Sequence, residues 1–177
     1  MNTFRFRPVA RGFTLLEVLI AIVVVAFGLL GLAGLQVFAL KNNQSASLRV
    51  AATNLTNDIV DRMKANYLGV INGNYDRPNK ADYTTAVPGC LQSAGCNFTA
   101  LAQNDLQEWQ ARVAAALPGG VGIVCLDSDP NDNSTPNATG CDGVGAAAYV
   151  VKIWWYDDRS KANPTGTQKY IYTAFNP

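Results

Sequence analysis

One carboxylate stands out among the residues that could do chemistry, because it lies in an otherwise uncharged apolar run. Residues 13–40 carry Glu17 as their only charge. An unpaired charge inside a bilayer costs on the order of 2.5 to 3.5 kcal/mol. Glu17 therefore either meets a positive partner or lies at the membrane interface and reaches water among the headgroups.

Catalysis and metal binding have few candidate residues. The chain contains no histidine, so Ser-His-Asp, Cys-His and histidine–metal chemistry are unavailable. Residues 127–133 (DSDPNDN) begin like a calcium loop, but the glycine at its sixth position and the glutamate at its twelfth are missing. The sequence favours a solvated acidic turn. We expect a protein that is not an enzyme, with no catalytic residue, metal site or cofactor.

The apolar run is the first element that must position these groups. As a helix, residues 13–40 would be roughly 42 Å long, enough to span a bilayer. Arg5, Arg7 and Arg11 precede the run without an acidic residue, so residues 1–12 are predicted to stay cytoplasmic and everything after Lys41 to be exported. Without its first twelve residues the chain has 11 basic and 13 acidic side chains, a net charge of −2. That charge predicts no nucleic-acid partner.

A cleavable secretory signal is the alternative interpretation of this N-terminus. Gly31-Leu32-Ala33 offers a small-x-small site, and cutting after Ala33 would release a soluble protein. The run, however, is longer than the usual roughly 7 to 15 residues and carries a carboxylate near its start. Both features favour retention in the membrane.

Four cysteines, Cys90, Cys96, Cys125 and Cys141, all lie in the part predicted to be exported. An oxidising compartment lets disulfides persist, and the spacings favour Cys90 with Cys96 and Cys125 with Cys141, although three connectivities are open. Zinc is the competing ligand, but its short knuckle spacings are missing. We expect two structural disulfides, each contributing about 2 to 4 kcal/mol.

Residues 11–17 (RGFTLLE), followed by the apolar run, resemble the class III leader junction of type IV prepilins and pseudopilins. The resemblance implies cleavage between Gly12 and Phe13 by a prepilin peptidase of the inner membrane, N-methylation of Phe13, and a role for Glu17 in subunit assembly. Such a cut would also create a mostly protonated α-amino group about one helical turn before Glu17. That amine could pair with Glu17 of its own or a neighbouring chain.

The following residues 28–36 (GLLGLAGLQ) are similar to PilV-type minor pilins. Glycines spaced three apart in an apolar helix permit close backbone approach between helices. The alternative interpretation is that these are ordinary glycines of a membrane helix with no special role in packing.

The helical pattern continues beyond Lys41 with an apolar face, formed by Leu48, Ala52, Leu55, Ile59 and Met63. A single helix is predicted from about Thr14 to Tyr67, roughly 80 Å long. Residues 69–98, rich in Asn, Gly and Pro, predict a connecting loop. A second helix is predicted over 101–117, with Asn104 as N-cap and Gln107 in the capping-box position.

Three strands are predicted over 121–126, 147–156 and 168–175, the last two as a hairpin across 157–167. Alternation directs Trp154 and Tyr156 to one face of the middle strand and Ile153 and Trp155 to the other. One face should pack on the long helix. The other is either a partner-binding surface or covered by loops.

The predicted class is α+β, and it matches the type IV pilin fold: a long N-terminal helix, its first half transmembrane, packed on a small antiparallel β-sheet head. The expected organisation is a cleaved leader over 1–12, a transmembrane and assembly half over 13–40, and an amphipathic helix half plus exported head over 41–177.

The resemblance implies a minor pilin that helps initiate a type IV pilus at or near its tip, with roles in adhesion and twitching motility open. Its partners would be other minor pilins, the major pilin, prepilin peptidase, the inner-membrane assembly platform, membrane lipid before assembly, and a tip adhesin as a further candidate. It would be a single-pass inner-membrane protein with a cytoplasmic N-terminus, and then part of the surface fibre. A type II secretion pseudopilin and a secreted binding module are the alternatives.

Overall fold

The computed structural model describes residues 12–83, 87–93, 95–132, 134–144, 148–157 and 168–176. These described residues form three α-helices, α1 (Leu15–Ala65), α2 (Tyr67–Ile71) and α3 (Phe98–Ala116), with short 3-10 helices at Lys80–Tyr83 and Pro88–Leu91. Strands β1 (Val121–Asp127), β2 (Ala148–Tyr156) and β3 (Gln168–Phe175) follow. The predicted α+β class is confirmed. The chain divides into two units, Met1–Asn43 and Gln44–Pro177.

The first unit contains the apolar part of α1. Every described side chain from residue 12 to 43 is exposed, and Leu15 is 91% exposed. A stretch of α1 is long and apolar enough to cross a membrane, with a mean hydropathy of 2.9 over 18 residues, none of it buried. A helix that is apolar all round requires a membrane or other helices around it.

The second unit is built on the remainder of α1, whose core face confirms the predicted periodicity. Leu48, Ala52, Ile59 and Met63 are buried, and Leu55 packs against the same core. Their spacing of three and four residues places them on one stripe of the helix. The sheet and α3 pack against this stripe.

The sheet has the order β1-β2-β3 with antiparallel pairing throughout, so the predicted hairpin of β2 with β3 is confirmed. Its connection, apart from Asp157, lies outside the described residues. Gly122 on β1 faces the helices, because a Cβ there would overlap the Trp109 ring of α3. Ile153 pairs with Gly122 and shares this inner face. Lys152 and Trp154 therefore lie on the outer face.

The N-cap prediction for the second long helix was wrong. Helix α3 begins at Phe98, and the side chain of Asn97 caps it by accepting a 2.9 Å hydrogen bond from the Ala100 amide. Asn104 is buried inside the helix, where the amides three residues on already bond to carbonyls of the preceding turn. Gln107 accordingly takes part in no capping box. The predicted loop over 69–98 also contains most of α2 and both short 3-10 helices.

The structure joins the cysteines sequentially. Cys90 bonds to Cys96, and Cys125 on β1 bonds to Cys141. The second bridge attaches β1 to residues 128–132 and 134–144, here called the disulfide loop. Its contacts with Lys152 and Trp154 place it over the outer face of the sheet.

Candidate functional site

The start of α1 is fixed by a local hydrogen bond that the predictions from the sequence did not include. The Glu17 amide donates to the side-chain oxygen of Thr14 at 3.2 Å and to the Thr14 carbonyl at 3.1 Å. Thr14-Leu-Leu-Glu17 has the Thr-x-x-Glu spacing of a capping box, which was the signal available in the sequence. Thr14 therefore fixes where the helix begins, and hence where Glu17 stands on it.

Glu17 lies in the first turn of α1, where the partial positive charge of a helix N-terminus favours a carboxylate. Within the described ranges Glu17 forms no ion pair. Gly12 and Phe13 precede the helix in exposed, non-helical backbone, and the Phe13 side chain is 83% exposed. The structure thus brings Gly12, Phe13 and Glu17 together at one open chain segment, whereas Arg11 and the rest of the predicted leader lie outside the described residues.

Two family models match consecutive parts of the chain. Residues 7–33 match the prokaryotic N-terminal methylation motif, and residues 34–107 match the family of type IV pilin Tt1218. The two matches support the type IV pilin superfamily. No curated protein and no solved structure matches. The fold agrees with a type IV pilin, since a long N-terminal helix precedes a small antiparallel three-stranded sheet.

The outer face of this pilin-like head is organised around a buried lysine. The Lys152 side chain is fully buried and forms an ion pair with Asp127, itself 1% exposed. Its ammonium also donates to the Thr139 carbonyl at 2.7 Å and to Ser134 at 3.5 Å, with Asp132 at 3.8 Å. The expected solvated acidic turn is therefore wrong at Asp127. The Lys152 ammonium therefore lies among the oxygens of Asp127, Ser134 and Thr139.

Aromatic side chains fix the disulfide loop on the same face. Trp154 donates through its indole N–H to the Ser134 carbonyl at 3.0 Å and stacks on Tyr170 at 5.2 Å between ring centroids. The Tyr170 hydroxyl donates to the Pro130 carbonyl at 2.8 Å, and burial raises the pKa of Tyr170 to about 12. Trp154 is 1% exposed. Of the two expectations for this aromatic face, cover by a loop is confirmed and a partner-binding surface at Trp154 is wrong.

A charged cluster joins α1 to α3. Arg62 donates to Asp105 at 3.2 Å and to Glu108 at 3.1 Å. The Tyr75 hydroxyl donates to the other oxygen of Asp105 at 2.7 Å. Burial, followed by this hydrogen bond, raises the pKa of Tyr75 above its ordinary value. These contacts are structural, because they close on one another inside the head.

Proposed function

We propose that this chain is a minor pilin of a type IV pilus, of the PilV type, which helps initiate assembly at or near the fibre tip. The observation that carries the proposal is the first part of α1, whose apolar residues are exposed on all sides. Such a surface needs a bilayer before assembly and neighbouring helices after it. The match of residues 7–33 to the methylation motif supports the same route.

Processing occurs between Gly12 and Phe13 by prepilin peptidase, followed by N-methylation of Phe13. The exposed, non-helical backbone at these residues suits a peptidase, since a protease needs an extended segment. Cutting there leaves Thr14 as the cap of α1 and adds a cationic amine next to the helix start. The leader residues stay on the cytoplasmic side.

Assembly then depends on packing and one ion pair. The apolar helix leaves the bilayer and is buried among the helices of the fibre core, while the disulfide-linked head faces outward. Glu17, which has no ion-pair partner within the described residues, pairs with the Phe13 amine of a neighbouring subunit. A charge pair that is formed only in the assembled core offsets the cost of burying either group alone.

The partners in this proposal are other minor pilins, the major pilin, prepilin peptidase and the inner-membrane assembly platform, with a tip adhesin as a further candidate. The chain resides in the inner membrane with its N-terminus in the cytoplasm and moves from there to the surface fibre. Adhesion and twitching motility are functions of the fibre to which it would contribute.

The deciding experiment is the intact mass and N-terminal sequence of the protein from membranes of its native host. We expect a terminus at Phe13 and an added mass of about 14 Da for one methyl group. A terminus at Gly34 would overturn the proposal, because it would mean release as a secreted protein. A deletion strain separates pilus from type II secretion, since loss of surface fibres indicates the former and loss of enzyme export the latter.

The role of Glu17 has its own test. Glu17→Gln removes the charge and keeps the shape, so we expect a normal Phe13 terminus but little protein in sheared fibres. Gln36→Leu, a change at the other strongly polar position of the apolar run, is the control and should assemble normally. Normal fibre incorporation of Glu17→Gln would remove the ion pair from the mechanism.

A further inference from the structure

The two edges of the sheet differ in whether their outward backbone groups have hydrogen-bond partners. On β1, the amides that point away from β2 are all bonded to side chains. Gly122 N–H donates to Gln110 at 2.8 Å, Val124 N–H to the Tyr83 hydroxyl at 2.6 Å, and Leu126 N–H to Asp76 at 3.0 Å. The Arg77 amide also donates to the Val124 carbonyl at 2.9 Å. This edge is closed to another strand.

The register identifies the outward groups on the opposite edge. On β1 the backbone N–H and C=O groups of even-numbered residues point away from β2, so those of odd-numbered residues bond to β2. The odd-numbered β1 residues pair with even-numbered residues of β2. The odd-numbered residues of β2 therefore bond to β3, where they pair with odd-numbered residues. On β3 the N–H and C=O groups of Tyr172 and Ala174 must point outward. Neither residue's backbone has an outward partner in the part of the chain that the structure describes.

The open edge lacks the features that usually block pairing. Residues 170–175 (YIYTAF) contain no charge and no proline, although edge strands are normally protected by such residues. Tyr172 is 40% exposed. The protection of β1 thus contrasts with residues 172–174 of β3, which are exposed and uncharged, although Lys169 near the start of the same strand carries a charge.

An apolar groove of about 350 Å³ adjoins this edge on the outer face of the sheet. Its lining is mostly apolar, with Asp127 and Ser128 as the polar members and Pro130, Val144, Ala148, Val150 and Ala174 as the apolar ones. Val144 is 54% exposed. Ala174 pairs with Val150, so a residue placed opposite Ala174 on an added strand would project beside this groove. The small side chain of Ala174 leaves room for it.

We propose that β3 accepts an extended segment from a different subunit of the same fibre, which adds a fourth strand and places an apolar side chain against the groove at Ala174. Only an extended backbone matches outward groups spaced two residues apart. The uncharged residues 170–175 of the edge and the apolar part of the groove favour an uncharged segment. The inference rests on the proposed function, because it takes the partner to be another pilin.

Antiparallel pairing with β3 of a second copy of this chain does not suit the same edge. Since β1 is closed, β3 is the free strand edge that the described residues of such a copy could offer. Antiparallel pairing of two such edges is related by a two-fold axis perpendicular to the sheet, which reverses the strands and the packed part of α1 in one copy. Subunits whose heads point the same way along one fibre cannot be related in this way.

The test compares two substitutions at one position in the full-length, tagged protein, recovered in detergent from its native host. Tyr172→Pro removes the outward amide, whereas Tyr172→Val removes the ring and keeps that amide. We expect the proline variant to recover about tenfold less of the other pilins per processed chain. The valine variant should remain within about twofold of the parent. Equal recovery by the two variants overturns the proposal.

A second pair of variants decides the matter if the proline variant fails to form its disulfides. Ala174→Phe fills the groove without removing a backbone group, and Ala174→Ser is the control of similar size. We expect loss of the partner pilins with phenylalanine and retention with serine. Unchanged recovery with phenylalanine, or recovery of this chain alone as the partner, contradicts the inference. A terminus other than Phe13 in the parent protein would instead mean that the proposed function has failed.

Discussion

At the scale of single residues, a substitution of Lys152 should strongly lower the free energy of unfolding, because its fully buried charge is paired with a buried carboxylate. Lys152→Met leaves Asp127 charged and without its cation, which should lower the free energy of unfolding by about 3 to 5 kcal/mol. Adding Asp127→Leu should recover most of this loss, since an apolar pair of similar volume avoids the desolvation cost. Denaturant unfolding of the full-length protein in detergent measures both effects.

A surface pair provides the control for that experiment. Lys169 lies 3.6 Å from Asp157 with about a third of each side chain exposed, so Lys169→Met should cost less than about 1 kcal/mol. A similar loss in the two lysine variants would show that burial does not set the energy of the Lys152 pair. Stabilisation of Lys152→Met by added calcium would show that the vacated oxygens accept a metal ion.

Gly122 is required by a close approach between β1 and α3. A Cβ there would overlap the Trp109 ring, and that ring is held by an indole hydrogen bond of 2.7 Å to the Leu55 carbonyl. Gly122→Ala should therefore destabilise the head by about 1 to 3 kcal/mol through overpacking. Its tryptophan fluorescence should also change.

Gly89 offers the matched control for Gly122. A Cβ at Gly89 would meet nothing within 4 Å, so Gly89→Ala should leave unfolding and fluorescence nearly unchanged. If Gly122→Ala also left unfolding and fluorescence unchanged, the Trp109 ring would have to be free to move away from the sheet.

At the scale of elements, a pair of substitutions at the start of α3 distinguishes the observed N-cap, Asn97, from the predicted one, Asn104. Asn97→Ala removes the oxygen that accepts from the Ala100 amide and should cost about 1 kcal/mol. The exchange of the Ala100 amide with solvent should become faster, as measured by hydrogen exchange. Asn104→Ala should leave that exchange unchanged, and the reverse result would restore Asn104 as the cap.

The elements themselves could be predicted because their signals are local. The apolar stripe from Leu48 to Met63 and the β-branched and aromatic strands follow from periodicity alone. The prediction of the N-cap of α3 was wrong because Asn97 and Asn104 have the same side chain, and only the fold decides which one precedes the helix. For the candidate site, the Thr14 and Glu17 spacing was present in the sequence. The partnership of Lys152 with Asp127 was not, since it depends on which face of the sheet the disulfide loop covers.

At the scale of the whole molecule, buried tyrosine hydroxyls link elements that are distant in the chain. The Tyr83 hydroxyl donates to the Arg77 carbonyl at 3.0 Å and accepts from the Val124 amide of β1. Tyr149 on β2 donates to the Val70 carbonyl of α2 at 3.0 Å. Together with Tyr75 and Tyr170, these hydroxyls connect α2, α3, the sheet and the disulfide loop. Each of them bonds as the neutral phenol, so the head as a whole should be sensitive to alkaline pH.

Burial raises the pKa of all four tyrosines, to about 12 for Tyr149 and Tyr170. A raised folded pKa means that the stabilisation is complete below the unfolded value of about 10 and is lost as pH rises through the folded value. The free energy of unfolding should therefore fall between pH about 10 and about 12, where the unfolded state binds fewer protons. Denaturant titrations across this window measure the slope, which Tyr149→Phe should reduce because it removes one of the titrating groups. A slope that is unchanged by Tyr149→Phe would mean that this hydroxyl already ionises normally in the folded head.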